Sequence, residues 1–281
     1  MTTTVRGVIT ALEAAYPPAL AESWDAVGLV CGDPTEPVQR VLVAVDPVTE
    51  TVEEAVEQDA QLLVTHHPLL LRGVHGVPAD DPKGALVHRL VRAGIGLFCA
   101  HTNADAANPG VSDALAHALG LRVTGPLSAR PLEGRPPSSA GLGRIGELAQ
   151  PESLRTFTNR VRAALPPTMG GVRAGGDPHR PVRTVAVCGG AGDSLLAEAR
   201  RARVDVFVTA DLRHHIVSEY LAADGPALVD VAHWASEHPW CAQAASVVSS
   251  ALGGTVDVRV SQRRTDPWTI GSAEPSGRSP R

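Results

Sequence analysis

The chain has 281 residues, of which 43% are hydrophobic and only 3% aromatic, and it carries a formal net charge of −5. This length and composition fit a globular protein whose core is built from small aliphatic side chains. The mild acidity argues against nucleic acid and anionic membranes as partners, because both attract basic surfaces. The sequence shows neither an apolar run long enough to span a bilayer nor a signal peptide, so we expect a cytoplasmic protein.

The first half of the chain alternates short apolar runs with amphipathic segments. Apolar residues at helical spacing predict a first helix at 4–15, which Pro17 and Pro18 end. The predicted elements that follow are strand 41–46, helix 49–60, strand 62–65, helix 83–94, strand 95–100 and helix 111–119. Strands that alternate with helices in this way predict βαβ units and a largely parallel sheet.

Proline and glycine interrupt this alternation in the middle of the chain. Two stretches rich in these residues, 126–141 and 166–182, predict loops, with a short strand at 143–148 and a helix at 151–165 between them. Small and polar residues at 271–281 predict a disordered tail. We therefore divide the chain into a first α/β half, a loop-rich connection, a second α/β half and the tail, with the bounds 1–125, 126–182, 183–270 and 271–281.

The second half repeats the pattern of the first. The predicted elements 185–187, 193–203, 206–209 and 228–233 correspond in order to 43–45, 49–60, 62–65 and 96–101. Unrelated βα pairs would also share such strands. However, both final strands lead into Ala-His-x-x-x-carboxylate, with Asp105 four residues after His101 and Glu237 four residues after His233. If a pseudo-two-fold axis relates the halves, both strand ends face one cleft.

Histidines and carboxylates follow the predicted strands at the edge where parallel sheets bind ligands. Adjacent His66 and His67 leave a strand together and can diverge toward two ions, while His233 and Glu237 would share one face of a helical turn. Imidazole and carboxylate groups bind transition metals, and a two-metal site usually shares one carboxylate between its ions. We therefore predict a centre of two divalent metal ions with the ligands His66, His67, Asp105, His233 and Glu237.

Two further histidines are candidates for a supporting role. His101 could be a ligand or could support the loop that holds Asp105, and we favour the second interpretation. His215 belongs to another His-His pair, which corresponds loosely to His66 and His67 in the repeat and could line the cleft. We therefore name His101 and His215 as candidate catalytic residues that would relay a proton.

Six motifs occur in order along the chain: ESWDAVGL at 22–29, VTHHP at 64–68, HTNAD at 101–105, GLGRIG at 141–146, TADL at 209–212 and HWASE at 233–237. Together they resemble the NIF-three-like family, also described as GTP cyclohydrolase I type 2 homologues or dinuclear-metal-centre hexameric proteins. The similarity covers residues 5–262. Family members usually have glycine where this chain has Ala210 and Ala232, and we expect small local adjustments there.

The resemblance implies an α/β fold of two interlinked, pseudo-symmetric halves with mostly parallel sheets. It also implies a homohexamer, built as a trimer of dimers, whose sites face an internal cavity. Zn, Fe, Mn, Co and Ni all suit the mixed ligation. By resemblance the two ions of each subunit would be bound by His67 with Asp105, by His66 with His233, and by Glu237 as the bridge.

Two ions about 3.5–4 Å apart can activate water, so this kind of site favours a metal-dependent hydrolase. Its small-molecule substrate would contain a phosphoester, an amide or a ring C–N bond, and the cyclohydrolase name corresponds to the last. The sequence contains no phosphate-binding GxxxxGK[ST] loop that would support GTP. The alternative is a non-enzymatic metal carrier, or a regulatory hexameric binding protein whose metals stabilise the assembly.

Overall fold

The computed structural model describes residues 2–130 and 140–271. The predicted tail therefore lies outside the described residues, apart from Gly271, as does most of the predicted loop at 126–141. The first half folds into α1 (Val5–Ala15), β1 (Gly28–Cys31), β2 (Arg40–Ala44), α2 (Thr49–Glu57), β3 (Leu62–Thr65), α3 (Pro82–Arg92), β4 (Gly96–Cys99), α4 (Thr102–Ala106) and α5 (Val111–Ala118).

The remaining elements lie on both sides of the gap in the described residues. They are β5 (Arg122–Ala129), β6 (Gly141–Ser153), α6 (Leu154–Ala164), β7 (Val172–Gly175), β8 (Pro181–Ala191), α7 (Leu196–Arg201), β9 (Val206–Ala210), α8 (His214–Ala222), β10 (Ala227–Val231), α9 (His233–Ala251) and β11 (Asp257–Val260). Short 3₁₀ turns also occur at Pro18–Leu20, after α1, and at Asp193–Leu195, before α7.

The strands form two sheets. In the first, with the order β1-β4-β3-β2-β11, all neighbours are parallel except β1, which is antiparallel to β4. In the second, with the order β5-β6-β8-β9-β10-β7, only β8, β9 and β10 are mutually parallel. The first sheet is thus largely parallel, as predicted, whereas antiparallel strands flank the parallel part of the second sheet.

The two sheets share one arrangement, which confirms the predicted α/β fold of two related halves. Strands β2, β3 and β4 lie side by side in chain order with helices between them, and β8, β9 and β10 do the same. In each sheet an antiparallel strand pairs with the last of these three strands: β1 pairs with β4, and β7 pairs with β10. The halves are interlinked, because β11 near the end of the described chain completes the first sheet beside β2.

The loops predicted at 126–141 and 166–182 are wrong in part. Residues 126–129 complete β5, and residues 172–175 form β7. Both strands lie at sheet edges, where one side of the strand is unpaired, and edge strands tolerate proline and glycine. The segment predicted as a connection therefore supplies strands to the second sheet.

The strand and helix predicted between those loops have other bounds. The short strand predicted at 143–148 is the 13-residue β6, which shows an irregularity in its pairing with β8 between Glu147 and Glu152. The helix predicted from residue 151 begins at Leu154, because Ser153 caps it by accepting a hydrogen bond from the Thr156 backbone. Sequence patterns thus placed these two elements but not their ends.

Helix α9 lies at the junction of the two halves. Its 19 residues contact β2 and β11 of the first sheet and β8 and β9 of the second. Trp240 on this helix is fully buried, and replacing it with alanine would cost about 3–5 kcal/mol of stability. In the described ranges, 2–130 and 140–271, no helix is both long and apolar enough to cross a membrane.

Candidate metal centre

The predicted ligands come from three places where a strand ends. His66 and His67 directly follow β3, and Asp105 lies in α4, the short helix after β4 whose N-cap is His101. His233 follows β10 as the first residue of α9, and Glu237 lies one helical turn later on the same face. The carboxyl ends of parallel strands from both sheets thus supply one cluster of side chains.

Glu237 lies at the middle of this cluster. Its Oε1 is 3.4 Å from Nε2 of His66 and 3.0 Å from Nε2 of His233. Its Oε2 is 3.1 Å from Nε2 of His67. The two carboxylate oxygens therefore face different histidines, in the same division that the family resemblance implies for a bridging ligand.

Asp105 and His101 complete the cluster around His66. Asp105 Oδ1 is 3.6 Å from Nε2 of His66, although the resemblance pairs this carboxylate with His67. Ring nitrogens of His66, His67 and His101 lie within 4.8 Å of one another. We favoured a supporting role for His101 from sequence, but the structure brings its ring directly beside those of the predicted ligands.

All four histidines of the cluster use Nδ1 as a hydrogen-bond donor. His66 donates to the Ala100 carbonyl at 2.9 Å, and the other three donate to carboxylates: His67 to Asp46 at 2.6 Å, His101 to Asp25 at 2.9 Å and His233 to Asp211 at 2.6 Å. A proton fixed on Nδ1 leaves Nε2 as the nitrogen able to bind a metal. The four acceptors thus orient four imidazoles toward one another.

Among the described residues, His66 Nε2 and Glu237 Oε2 are buried and have no well-aligned hydrogen-bond partner, although Glu237 Oε2 lies 3.1 Å from His67 Nε2. His66 is fully buried and Glu237 is 3% exposed. Each unsatisfied polar atom in such a place costs about 1–3 kcal/mol. A cation bound between these atoms would remove that cost, so the residues present fit a metal site.

The charges of the cluster shift its pKa values strongly. Burial lowers the pKa of His67, but the Glu237 and Asp46 carboxylates outweigh burial and raise it to about 11. Burial likewise opposes protonation of His233, while Glu237 and Asp211 raise its pKa to about 9. Burial opposes ionisation of the Glu237 carboxyl, but His66, together with His67 and His233, holds its pKa well below its usual range. Without a cation, protons on the histidines therefore balance the buried carboxylate.

Gly190 in β8 lies against the cluster. Its φ is +69°, and a Cβ atom there would be 2.5 Å from Glu237 Oε1 and 3.1 Å from His233 Nε2. Its backbone N–H donates to Ser236 Oγ at 2.8 Å, which ties β8 to the first turn of α9. Only glycine fits this close approach of the backbone to the candidate ligands.

The two alanines that replace the usual glycines cause no backbone strain. Neither Ala210 nor Ala232 has a positive φ, and Ala232 is extended with φ −67° and ψ 136°. Positive φ occurs instead at the next residue after Ala210, since Asp211 has φ +59°. An aspartate tolerates this conformation better than most side chains.

A cleft of about 840 Å³ adjoins the cluster on the side of His67 and His233. Its lining includes two indole rings, Trp234 and Trp268, and the carboxylates Asp46, Asp211, Asp230 and Asp266. The side chains of His67 and His233 are 24% and 34% exposed, so a small molecule in the cleft reaches the candidate ligands. A cavity of this size suits a small-molecule ligand.

The structure does not bring His215 to this cluster. His215 is exposed on the first turn of α8, beside His214 with the ring centroids 5.3 Å apart, and it does not line the cleft. Conversely, the orienting carboxylates Asp25, Asp46 and Asp211 were not among the residues predicted from sequence. A signal existed for each, since Asp25 and Asp211 lie inside the quoted motifs and Asp46 closely follows β2.

The fold and the cluster together define a class of protein: two linked α/β halves with a centre of histidines and carboxylates where the halves meet. The family model for Duf34/NIF3 (NGG1p interacting factor 3) matches residues 3–267. This chain therefore belongs to the Duf34/NIF3 family, as its motifs predicted.

Two curated relatives carry the name "GTP cyclohydrolase 1 type 2 homolog". The protein of Streptomyces coelicolor is 54% identical over 265 residues, covering 93% of this chain and 92% of the relative. The protein of Mycobacterium tuberculosis is 43% identical over 372 residues, covering 96% and 98%. Because that alignment is longer than the 281 residues of this chain, the mycobacterial relative carries inserted residues that this chain lacks.

Two solved structures share the fold over almost the whole chain. A Bacillus cereus protein related to NIF3 superposes with a TM-score of 0.84 at 23% identity, covering 96% of this chain and all of its own. Staphylococcus aureus protein SA1388 gives a TM-score of 0.84 at 26% identity, covering 95% and 99%. These likenesses support the two-half architecture described above.

Proposed function

We propose that this chain binds two divalent metal ions and acts as a metal-dependent hydrolase of small molecules. One observation carries the proposal. The carboxylate of Glu237 directs Oε1 toward His66 and His233 and Oε2 toward His67, so that each oxygen lies with a separate set of imidazoles. A carboxylate placed in this way is the usual bridge of a two-metal centre.

The division of the ligands between the two ions is the one that the family resemblance implies, and the contacts of Glu237 agree with it for the three histidines. His66 and His233 would bind one ion, His67 and Asp105 the other, and Glu237 both. Zn, Fe, Mn, Co and Ni all remain candidates, because imidazole and carboxylate ligands suit each of them.

Two divalent ions in such a site supply Lewis-acid activation of water and of the bond to be cleaved. The chain itself would orient the ligands, admit the substrate through the cleft and accept a proton. His101 is the candidate for that last task. Its Nδ1 proton is held by Asp25, and burial together with His66 lowers its pKa to about 4, so Nε2 carries no proton at neutral pH and would act as an acceptor only while the reaction supplies one.

The name shared by the relatives makes ring C–N hydrolysis of a purine nucleotide the first reaction to assay. A non-enzymatic metal carrier is the second candidate, and the partial exposure of His67 and His233 favours it, since an acceptor protein needs access to the ions. Cytoplasmic location suits both candidates and remains part of the proposal.

The test is a screen of the chain reconstituted with zinc, manganese or iron against GTP, other nucleotides and phosphoesters. Metal-dependent turnover that His101→Gln reduces, with metal content unchanged, would support the hydrolase and the role of His101. Exposed His117→Gln is the matched control and should retain full turnover. Failure to turn over any substrate, combined with fast metal transfer to an acceptor, would instead establish the carrier.

We also propose the homohexamer that the family resemblance implies. Exposed apolar side chains support it, because Leu71, Val74 and Val77 lie on one surface segment that follows the His66-His67 pair and are 38%, 51% and 36% exposed. Light scattering should give six times the chain mass of 29.2 kDa. A monomeric mass would contradict this part of the proposal.

A further inference from the structure

One wall of the cleft is formed by residues 265–268, which we call the terminal wall. The residues just before the terminal wall are anchored by buried Glu54, which accepts a hydrogen bond from Ser261. Thr265 in the wall donates a hydrogen bond to Asp46, the carboxylate that also orients a histidine of the candidate metal centre. The terminal wall is therefore held in a fixed position beside the centre.

This wall presents an indole ring to the cleft. The chain contains only four tryptophans, yet two of them, Trp234 and Trp268, line this one cavity. Trp268 is 69% exposed, although burial would be favourable for so large an apolar ring. An exposed indole at the edge of a cavity is a platform on which a planar ring can stack.

The wall also contains a carboxylate that lacks a partner. Asp266 lines the cleft and is 6% exposed, and its Oδ2 has no hydrogen-bond partner among the described residues. The other three lining carboxylates are paired, Asp46 with His67, Asp211 with His233 and Asp230 with Arg173. A buried acceptor of this kind gains most from a ligand that donates a hydrogen bond to it.

We propose that Asp266 and Trp268 form a specificity subsite for a planar nitrogen heterocycle that carries a ring N–H. The inference rests on the proposed function, since it names the substrate class of the same site. The indole of Trp268 stacks on the heterocycle, and the carboxylate of Asp266 accepts from its N–H. Guanine and hypoxanthine carry an N–H at ring position 1, whereas adenine carries an acceptor nitrogen there, which the carboxylate repels.

Calorimetry on the zinc-loaded full chain tests this subsite with guanosine, inosine and adenosine as probes. Guanosine and inosine should bind at least about tenfold more tightly than adenosine, because adenosine leaves the buried carboxylate unpaired. Asp266→Asn should abolish that preference, since the amide can donate to adenine as readily as it accepts from guanine. Trp268→Leu should weaken all three nucleosides by about tenfold, because stacking does not depend on the N–H.

Ile270→Ala is the matched control. Ile270 lies two residues beyond the terminal wall, is 91% exposed and does not line the cleft. It should leave all three affinities unchanged. Zinc content is measured on every variant and should equal that of the unaltered chain. Equal affinity for the three nucleosides at full zinc content, or an unchanged preference in Asp266→Asn, would overturn the subsite and leave the metal centre standing. A chain that takes up no zinc would overturn the proposed function and the subsite with it.

Discussion

At the scale of single residues, the candidate centre is organised by hydrogen bonds behind its histidines. Asp25, Asp46 and Asp211 each accept the Nδ1 proton of one imidazole. A carboxylate in this position fixes the tautomer, aims Nε2 and makes the ring a stronger ligand. The geometry of the cluster therefore depends on residues that would not touch a metal.

Asp211→Asn tests this dependence. Asparagine tolerates the positive φ of Asp211 and keeps its size, but it removes the negative charge that supports His233. We expect zinc affinity to fall by about tenfold with little change in thermal stability. Asp224→Asn is the matched control, because Asp224 also has a positive φ, of 52°, and is exposed on the surface. Equal zinc affinity in both variants would contradict an orienting role for Asp211.

Proton release is a second prediction at the residue scale. The pKa values of His233 and His67 are raised to about 9 and about 11, so both imidazoles carry an extra proton at pH 7 when no ion is bound. A metal binds only the deprotonated nitrogen, so uptake should release protons, and affinity should fall as the pH is lowered below about 11 and fall more steeply below about 9. Zinc titrations by calorimetry in two buffers of different ionisation enthalpy measure this release. Identical heats in both buffers would contradict it.

At the scale of elements, the sequence predicted the three consecutive parallel strands of each sheet and three of the four helices between them, but not α8. Buried parallel strands such as β3 and β9 are continuous apolar runs, which local patterns reveal. Edge strands β5 and β7 escaped prediction because their proline and glycine residues resemble a loop, and only their neighbours in the sheet make them strands. Strands β1 and β11 also escaped prediction, since each has only four residues and lies at an edge of the first sheet.

Some residues of the site could likewise be predicted from sequence and others could not. His66, His67, Asp105, His233 and Glu237 were predictable, because each lies at a strand end or one helical turn beyond it. Gly190 was not predictable, since its requirement for glycine comes from side chains that approach it from α9 in the folded chain. The unpaired carboxylate of Asp266 also depends on contacts made only in three dimensions.

Gly190→Ala tests how closely β8 approaches α9. The added methyl group would collide with Glu237 Oε1, and the positive φ of Gly190 adds about 1 kcal/mol or more of strain for alanine. We expect the variant to lose most of its metal while keeping its helix content. Gly125→Ala is the matched control, because Gly125 lies in β5 and no described atom is within 4 Å of the added group. Full metal content in Gly190→Ala, measured by elemental analysis, would show that the approach is looser than described.

At the scale of the whole molecule, the candidate centre lies where the two halves meet. His66, His67 and Asp105 come from the first half, whereas His233 and Glu237 come from the second and are carried by a helix that contacts both sheets. The internal repeat predicted this location, since it places equivalent strand ends on one cleft. The order of the strands in both sheets agrees with that repeat.

The central claim is that Glu237 joins two metal ions, and counting metal ions tests it most directly. Elemental analysis of the reconstituted chain should find close to two ions per chain, and Glu237→Ala should lose both, because one carboxylate serves both sets of imidazoles. Glu219→Ala, at an exposed position on α8, should keep both ions. Retention of one ion by Glu237→Ala would contradict the bridge, and a chain that binds no ion before any substitution would contradict the centre itself.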